Sequence, residues 1–140
     1  MPPSILSPVF SVTGTAVLSP LTPLCASKFS EGFFTLEIQD FPFRIGRDEA
    51  NGHNYRASGM QNSLIVQDNE PFQVSRKHCF IEKEGGSFYV RDNGSSLGTI
   101  VNGVPIGVRQ ISLSEALKPG ENTLMLGTAR SSFKFLIEIL

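Results

Sequence analysis

Apolar residues recur at every second position in several short stretches of this 140-residue chain, and this alternation restricts its possible folds most strongly. The longest such stretch is 133–139, and shorter ones occur at 34–38, 41–45 and 79–82. A period of two is typical of β-strands with one buried face. Gly-Gly and Asn-Gly steps, which favour tight hairpin turns, occur at Gly85-Gly86 and Asn102-Gly103. The pattern therefore predicts an all-β fold, a two-sheet antiparallel β-sandwich built from short strands.

Three segments fall outside the strand pattern. Residues 19–31 contain two prolines and predict a long loop, whereas residues 114–118 predict a single helical turn that the following Pro-Gly step ends. Residues 48–61 lose all periodicity, which predicts a long polar loop of the kind that is often functional. Gly46 is expected to end the strand before this loop, so that Arg47 begins a turn.

Length and composition predict one globular domain. Hydrophobic residues make up 40% of the chain and charged residues 18%, which suits a chain that buries a core. We expect residues 1–11, which are rich in proline and serine, to form a loose N-terminal arm, and residues 12–140 to form the domain. The net charge of −1 gives no general attraction to nucleic acid or anionic lipid, and no apolar run approaches the roughly 18 residues of a membrane span. Neither nucleic acid nor a membrane is therefore expected as a partner.

The cysteines and histidines do not indicate a metal centre. Cys25 and Cys79 lie far apart in the chain, and His53 and His78 do not complete a ligand spacing with them. No cofactor and no metal are therefore expected. Cys79 lies in a strand-like run and is predicted to be a buried free thiol, which indicates a reducing compartment, the cytoplasm.

Four polar, glycine-rich blocks carry the chemistry of the sequence. In chain order they are Gly46-Arg47, Ser75-Arg76-Lys77-His78, Gly94 to Thr99, and Asn102-Gly103. Hydroxyl groups and an arginine on turns joined by rigid strands can form a local anion site. Together the blocks resemble the forkhead-associated (FHA) domain, a β-sandwich that binds phosphothreonine peptides, and the resemblance extends over about residues 15–140.

The resemblance implies a phosphothreonine-dependent binding module in signalling, whose partner is a phosphothreonine-containing protein or peptide. It assigns Arg47 to the phosphate, which a guanidinium can bind in a bidentate manner. It likewise places Ser75 and Ser96 at hydroxyl positions beside the phosphate, with Arg76 as a further donor to phosphate or peptide. Four more positions are implied as structural support of the site: Gly46, His78, Gly98 and Asn102.

Leu97 departs from the family pattern. The family usually has asparagine at this position, which bonds the main chain of the peptide, and leucine cannot form that bond. The loss of one hydrogen bond predicts roughly 2- to 13-fold weaker binding, which Leu97→Asn would restore. Alternatively, Leu97 contacts a hydrophobic residue of the partner, and Leu97→Asn then weakens binding. A third possibility is an FHA-like sandwich that has lost phosphate binding and uses another face.

An enzyme is the main rival class, because Gly94-Ser95-Ser96-Leu97-Gly98 matches the G-x-S-x-G nucleophile turn of hydrolases. That turn requires a helix after the serine, and the catalytic histidine must follow the serine in the chain. Residues 99–103 are instead β-branched and turn-forming, and both histidines precede Ser96. We therefore expect no enzymatic activity.

The aperiodic segment 48–61 carries one further hypothesis. It contains Tyr55 and Arg56, side chains that can stack on or bond to a peptide. We expect them to contact residues that flank the phosphothreonine.

Overall fold

A computed structural model describes residues 15–47 and 62–140 of the chain. These ranges contain eleven strands and one short helix. In chain order the elements are β1 (Ala16–Pro20), α1 (Pro23–Ala26), β2 (Leu36–Ile38), β3 (Phe43–Arg47), β4 (Leu64–Val66), β5 (Cys79–Glu84), β6 (Ser87–Asp92), β7 (Thr99–Val101), β8 (Val104–Ile106), β9 (Ser114–Ala116), β10 (Gly120–Leu126) and β11 (Lys134–Ile139). No helix in the described ranges is long and apolar enough to cross a membrane.

The strands form two sheets, which confirms the predicted all-β sandwich. One sheet has the order β9-β6-β5-β3-β4, and the other has the order β2-β1-β11-β10-β7-β8. Neighbouring strands are antiparallel except for β3 and β4, which pair in parallel with Ile45 opposite Leu64. A parallel pair needs a crossover of about a dozen residues or more, and the stretch 48–63 between these strands is long enough for it.

The core lies between the sheets and takes alternate residues from both of them. The buried side chains of the first sheet include Ile45, Ile81 and Val90, and those of the second include Leu18, Leu124 and Ile137. The run at 133–139 contains β11, in which the buried residues Phe135 and Ile137 alternate with half-buried neighbours as predicted. The alternation predicted from the sequence is therefore the alternation that fills the core.

The predicted loop at 19–31 is partly wrong, because it contains the end of β1 and the helix α1. Pro23 occupies the first turn of this helix, where its missing N–H is not needed. The hydroxyl oxygen of Thr22 caps the helix by accepting a hydrogen bond from the Cys25 amide at 3.1 Å. Cys25 and Ala26 are thereby buried against the core.

The predicted helical turn at 114–118 is wrong, because residues 114–116 form strand β9. β9 pairs with β6, with Ser114 opposite Arg91 and Ala116 opposite Tyr89. Pairing with the otherwise open edge of β6 satisfies main-chain groups that a single isolated helical turn would leave free, so tertiary context overrides the local preference.

Strand β3 also extends further than predicted. Arg47, which was expected to begin a turn after Gly46, is the last residue of the strand. Arg47 remains in the ladder because it pairs with Val66 of β4 and because its amide donates to the Ser75 carbonyl at 2.9 Å.

Both cysteines are buried and free, as predicted for Cys79. Burial raises the pKa of the Cys25 and Cys79 thiols, because a thiolate loses its hydration inside the core. The described residues also hold no group of three or more His, Cys, Asp and Glu side chains that could bind a metal ion.

Candidate functional site

The antiparallel register brings the ends of several strands to one end of the sandwich. Ile45 lies opposite Cys79, and Cys79 lies opposite Asp92, so the end of β3, the start of β5 and the end of β6 are neighbours. In the other sheet Thr99 lies opposite Leu126 at the same end. Arg47 and the segments 75–78 and 94–98 therefore lie close together.

Arg47 is held by three contacts with residues 72–75. Its amide donates to the Ser75 carbonyl, and its Nε donates to the Val74 carbonyl at 2.9 Å. Its guanidinium carbon lies 3.9 Å from the centre of the Phe72 ring, within cation–π distance. These contacts fix the plane of the guanidinium, so its orientation does not depend on a ligand.

Ser75 and Ser96 are in direct contact, although 21 positions separate them in the chain. The Ser96 amide donates to the Ser75 hydroxyl oxygen at 2.9 Å. A hydroxyl that accepts one hydrogen bond keeps its own proton as a donor. Ser75 is half-buried and Ser96 is exposed, so both hydroxyls lie at the surface of this end of the sandwich.

His78 connects the turn of Ser75 to the turn of Ser96 from the buried side. Its imidazole is fully buried, and Nδ1 accepts a hydrogen bond from the Ser75 amide at 3.0 Å. Nε2 therefore carries the proton in the neutral ring, and it lies 2.8 Å from the Gly98 carbonyl, to which it donates. The ring thus joins the turn of Ser75 to the turn of Ser96.

Burial lowers the pKa of His78 below its ordinary value of 6.5, because the charged imidazolium would lose its hydration. The Gly98 carbonyl and Asp92 act in the opposite direction but are weaker. A protonated ring would also set an Nδ1 hydrogen against the Ser75 amide, so the neutral tautomer fits this position.

The turn that carries Ser96 is built around Asp92, a residue to which the sequence reasoning gave no role. Its Oδ1 accepts from the hydroxyls of Ser95 and Thr99, each at 2.6 Å. Its Oδ2 accepts from the amides of Gly94 at 3.1 Å and Ser95 at 3.0 Å. The Ser95 hydroxyl oxygen in turn accepts from the Gly98 amide at 2.9 Å. All three side chains of this network are buried, so it shapes the turn and leaves Ser96 as the exposed hydroxyl.

Asp68 and Gln73, which were also missed, organise the segment before Ser75. Asp68 Oδ2 accepts from the Gln73 amide at 2.7 Å and from the Val74 amide at 3.0 Å. The Gln73 side-chain oxygen accepts from the Thr128 amide at 2.8 Å, which ties this segment to the β10–β11 connection. An aspartate shortly before a turn is a signal for such main-chain bonds, but its partners depend on the folded loop.

Two glycines are required by close approaches at the site. A Cβ on Gly46 would overlap the carbonyl oxygen of Arg76 and would lie 2.6 Å from Asn62 Nδ2. Asn62 Nδ2 itself donates to that carbonyl at 2.9 Å. Gly98 adopts a φ of +89°, which other residues rarely do, and its carbonyl also accepts from the Gly127 amide at 2.9 Å.

The remaining predicted residues occupy different places. The Arg76 side chain is exposed beside Ser75. Asn102 lies at the far end of β7, where its Oδ1 accepts from the Thr123 amide and its Nδ2 donates to Asn122 Oδ1, both at 2.9 Å. These bonds join the β7–β8 turn to β10 rather than to the turns around Ser75 and Ser96.

Leu97 projects outward, with 41% of its surface exposed, beside an apolar groove. Tyr55 and Arg56, which were expected to flank the peptide, lie outside the described residues, as does the predicted arm at 1–11. The hydrolase-type turn is not followed by a helix, because Thr99–Val101 is strand β7.

A two-layer β-sandwich whose loops gather an arginine and two serine hydroxyls at one end defines a class of loop-based binding domains. Residues 43–118 match the family model described as FHA domain, and the chain belongs to that family.

A yeast protein is also similar to this chain in sequence. The chain is 33% identical over 109 residues to vacuolar protein sorting-associated protein 64 of Saccharomyces cerevisiae; the match covers 71% of this chain but only 17% of that protein.

Among solved structures, the FHA domain of an Arabidopsis thaliana hypothetical protein is 23% identical with a TM-score of 0.57 and covers 91% of this chain and 85% of its own. The N-terminal FHA domain of S. cerevisiae RAD53P, in complex with a phosphothreonine peptide, is 16% identical with a TM-score of 0.57 and covers 90% of this chain and 93% of its own. At such identities these structures establish the fold.

Proposed function

We propose that this domain binds a phosphothreonine-containing segment of a partner protein with the loops at the Arg47 end of the sandwich. The observation that carries the proposal is the hydrogen bond from the Ser96 amide to the Ser75 hydroxyl, next to the main-chain bond that joins Arg47 to Ser75. It gathers a fixed guanidinium and two hydroxyls into one cluster, which suits a group with about −1.5 to −2 charges and three acceptor oxygens.

The supporting residues have separate roles in this proposal. Arg47 binds phosphate oxygens, and Ser75 and Ser96 donate their hydroxyl protons to them. Arg76 adds a second cation, which draws a phosphate toward the exposed rim. His78, Gly46 and Gly98 keep the turns at the required separation.

Solved structures of similar domains support the proposal. The RAD53P domain was solved with a phosphothreonine peptide, and another neighbour with a TM-score of 0.57 comes from work on phosphothreonine-dependent FHA interactions. A phosphate-dependent partner would place this chain in signalling. Two buried free thiols suit a reducing compartment such as the cytoplasm.

Isothermal titration with three versions of one peptide tests the proposal. The phosphothreonine version should bind with roughly micromolar affinity, about −8 kcal/mol. The unphosphorylated version should not bind measurably. A phosphoserine version should bind roughly 10-fold or more weakly, because it lacks the γ-methyl group. Equal binding of the phosphorylated and unphosphorylated peptides would refute the proposal.

A second candidate is a sandwich that binds its partner without phosphate. Leu97 favours it, because a leucine stands exposed where the family usually presents an asparagine to the peptide. In that case the domain would capture its partner equally well from phosphatase-treated and untreated protein.

A further inference from the structure

The guanidinium of Arg47 takes its orientation from a part of the chain that is neither strand nor helix. This part is the β4–β5 connection, residues 67–78. It supplies the Phe72 ring, whose centre lies 3.9 Å from the guanidinium carbon, and the Val74 carbonyl, which accepts from Arg47 Nε at 2.9 Å. The plane of the guanidinium therefore depends on where the β4–β5 connection is held.

Gln73 lies between these two contact residues, and its side chain reaches the other sheet. Its side-chain oxygen accepts hydrogen bonds from the Thr128 amide at 2.8 Å and from the Thr128 hydroxyl at 3.2 Å. Thr128 lies in the β10–β11 connection, 55 positions further along the chain. One side chain thus fixes the β4–β5 connection to the second sheet by two hydrogen bonds.

The two connections also touch through their main chains. A Cβ on Gly127 would lie 2.7 Å from the Gln73 carbonyl oxygen, which is closer than real Cβ atoms approach. Gly127 also has a φ of +103°, a conformation that other residues rarely adopt. Glycine at position 127 therefore lets the β10–β11 connection come close enough for Thr128 to reach the Gln73 side chain.

Asp68 holds the same segment from within the β4–β5 connection. Its Oδ2 accepts from the amides of Gln73 and Val74, at 2.7 Å and 3.0 Å. These bonds shape residues 68–74 but do not fix them relative to the second sheet. The bonds between Gln73 and Thr128 add that constraint, and any displacement of Gln73 moves its neighbours Phe72 and Val74 with it.

We propose, on the basis of the proposed function, that Gln73 is a positioning residue for phosphate binding. Through Thr128 it holds Phe72 and Val74 against Arg47, so that the second sheet sets the plane of the guanidinium. Bidentate binding of phosphate by arginine depends on this plane. Loss of the Gln73 acceptor then weakens phosphate binding although the groups that contact the phosphate are unchanged.

Hydrogen exchange in the free protein tests the first half of this proposal. Gln73→Met removes the acceptor and keeps the length of the side chain. NMR spectroscopy measures the solvent exchange of the Arg47 Nε hydrogen, whose signal is identified by its absence in Arg47→Lys. The exchange rate should rise roughly 2- to 13-fold, the equivalent of one net hydrogen bond. Gln67→Met is the matched control, because Gln67 is exposed on the same connection, and it should keep the original rate.

A double-mutant cycle tests the second half. In calorimetric titrations with a phosphothreonine peptide, Gln73→Met should weaken binding roughly 3-fold or more, within the range expected for one lost hydrogen bond. In the Arg47→Lys background the same change should weaken binding less than about 1.5-fold, because an ammonium group has no plane to orient. A residue that only stabilised the fold would have the same effect in both backgrounds.

Thr128 provides a second pair of variants, which also serves if Gln73→Met does not fold. Thr128→Val removes the hydroxyl donor but leaves the amide, so it should raise the exchange rate of the Arg47 Nε hydrogen less than Gln73→Met does. Thr128→Ser keeps the hydroxyl, which also accepts from the Arg130 amide at 3.3 Å, and should keep the original rate. Melting temperatures show which variants are folded.

The outcomes separate the two proposals. An unchanged exchange rate in folded Gln73→Met, or in Thr128→Val where Gln73→Met does not fold, overturns the positioning role. Equal losses of affinity in the two Arg47 backgrounds also overturn it. If the exchange rate rises but the original protein binds the phosphorylated and unphosphorylated peptides equally, the proposed function fails, whereas the control of the Arg47 side chain by Gln73 stands.

Discussion

At the residue scale, the proposed phosphate binding depends most directly on Arg47. We expect Arg47→Ala to weaken phosphopeptide binding by about 2–5 kcal/mol, because a charge-assisted phosphate contact is removed. Arg47→Lys should restore only part of this loss, since an ammonium cannot form the bidentate contact. Calorimetric titration of the phosphothreonine peptide measures the effect.

Arg44 provides the matched control for Arg47. It lies on the same strand but alternates with the core residues Phe43 and Ile45, so it faces away from the core. Arg44→Ala should leave phosphopeptide affinity unchanged. Unaltered binding by a folded Arg47→Ala variant would show that the phosphate lies elsewhere.

His78 makes stability depend on pH. Its pKa is lower in the folded protein than in the unfolded chain, so below about pH 6.5 the unfolded state binds more protons than the folded state. The free energy of unfolding is therefore expected to decrease as the pH falls from 7 to 5. Urea denaturation at a series of pH values measures this slope.

A glutamine substitution tests the role of His78. His78→Gln should reduce the slope and lower stability at pH 7, because the bridge between the Ser75 amide and the Gly98 carbonyl is impaired. An equal slope in the His78→Gln variant would contradict this assignment.

At the scale of elements, the β5–β6 hairpin carries two carboxylates in different surroundings. Asp92 is buried at its end, whereas Glu82 is partly exposed on β5. Asp92→Asn replaces one carboxylate oxygen by an NH₂ group. This NH₂ group must then face an amide or a hydroxyl that donated its hydrogen bond to the lost oxygen. We expect a loss of about 1–3 kcal/mol in the free energy of unfolding, since a buried donor is left without an acceptor. Thermal or urea denaturation measures it.

Glu82→Gln is the isosteric control on the same hairpin. Glu82 forms a salt bridge with Arg91 at 2.9 Å, with side-chain exposures of 42% for Arg91 and 27% for Glu82. Such partly exposed pairs contribute about 0–1 kcal/mol, so this change should be small. If both substitutions cost the same, the Asp92 network does not stabilise the turn.

At the scale of the whole molecule, strand β1 decides where the domain can begin. β1 pairs with both β2 and β11, and the Leu140 amide donates to the Thr15 carbonyl at 3.0 Å. A chain of residues 12–140 keeps all of these contacts. If residues 1–11 form the loose arm that their composition predicts, its free energy of unfolding should lie within about 0.5 kcal/mol of that of the full chain.

Removal of residues 1–20 is the contrasting truncation. It deletes the buried Ala16 and Leu18 and leaves β2 without a partner strand. We expect no cooperative unfolding transition in urea. A large loss of stability already in the 12–140 chain would show that residues 1–11 belong to the domain.

The sequence by itself determined the alternating strands and the β5–β6 hairpin, and it supplied the residues of the proposed site. Alternation at 133–139 specifies a strand because a one-residue shift would expose every core side chain. Gly85 and Gly86 mark their turn because both adopt positive φ, at 59° and 87°. These are properties of neighbours in the chain, so a local pattern is enough to predict them.

Only the tertiary structure decided how distant segments meet. β9 became a strand because the edge of β6 was available, which no local propensity reports. The contact between Ser75 and Ser96 and the bridge made by His78 join turns about 20 positions apart, and their geometry depends on strand register. In the sequence, Leu97 is recognised only as a replacement for the asparagine that the family usually has. Its position beside an apolar groove depends on the tertiary structure, which places Val108 next to Gly98. Contacts of this kind depend on the packing of the two sheets, which a period of two does not encode.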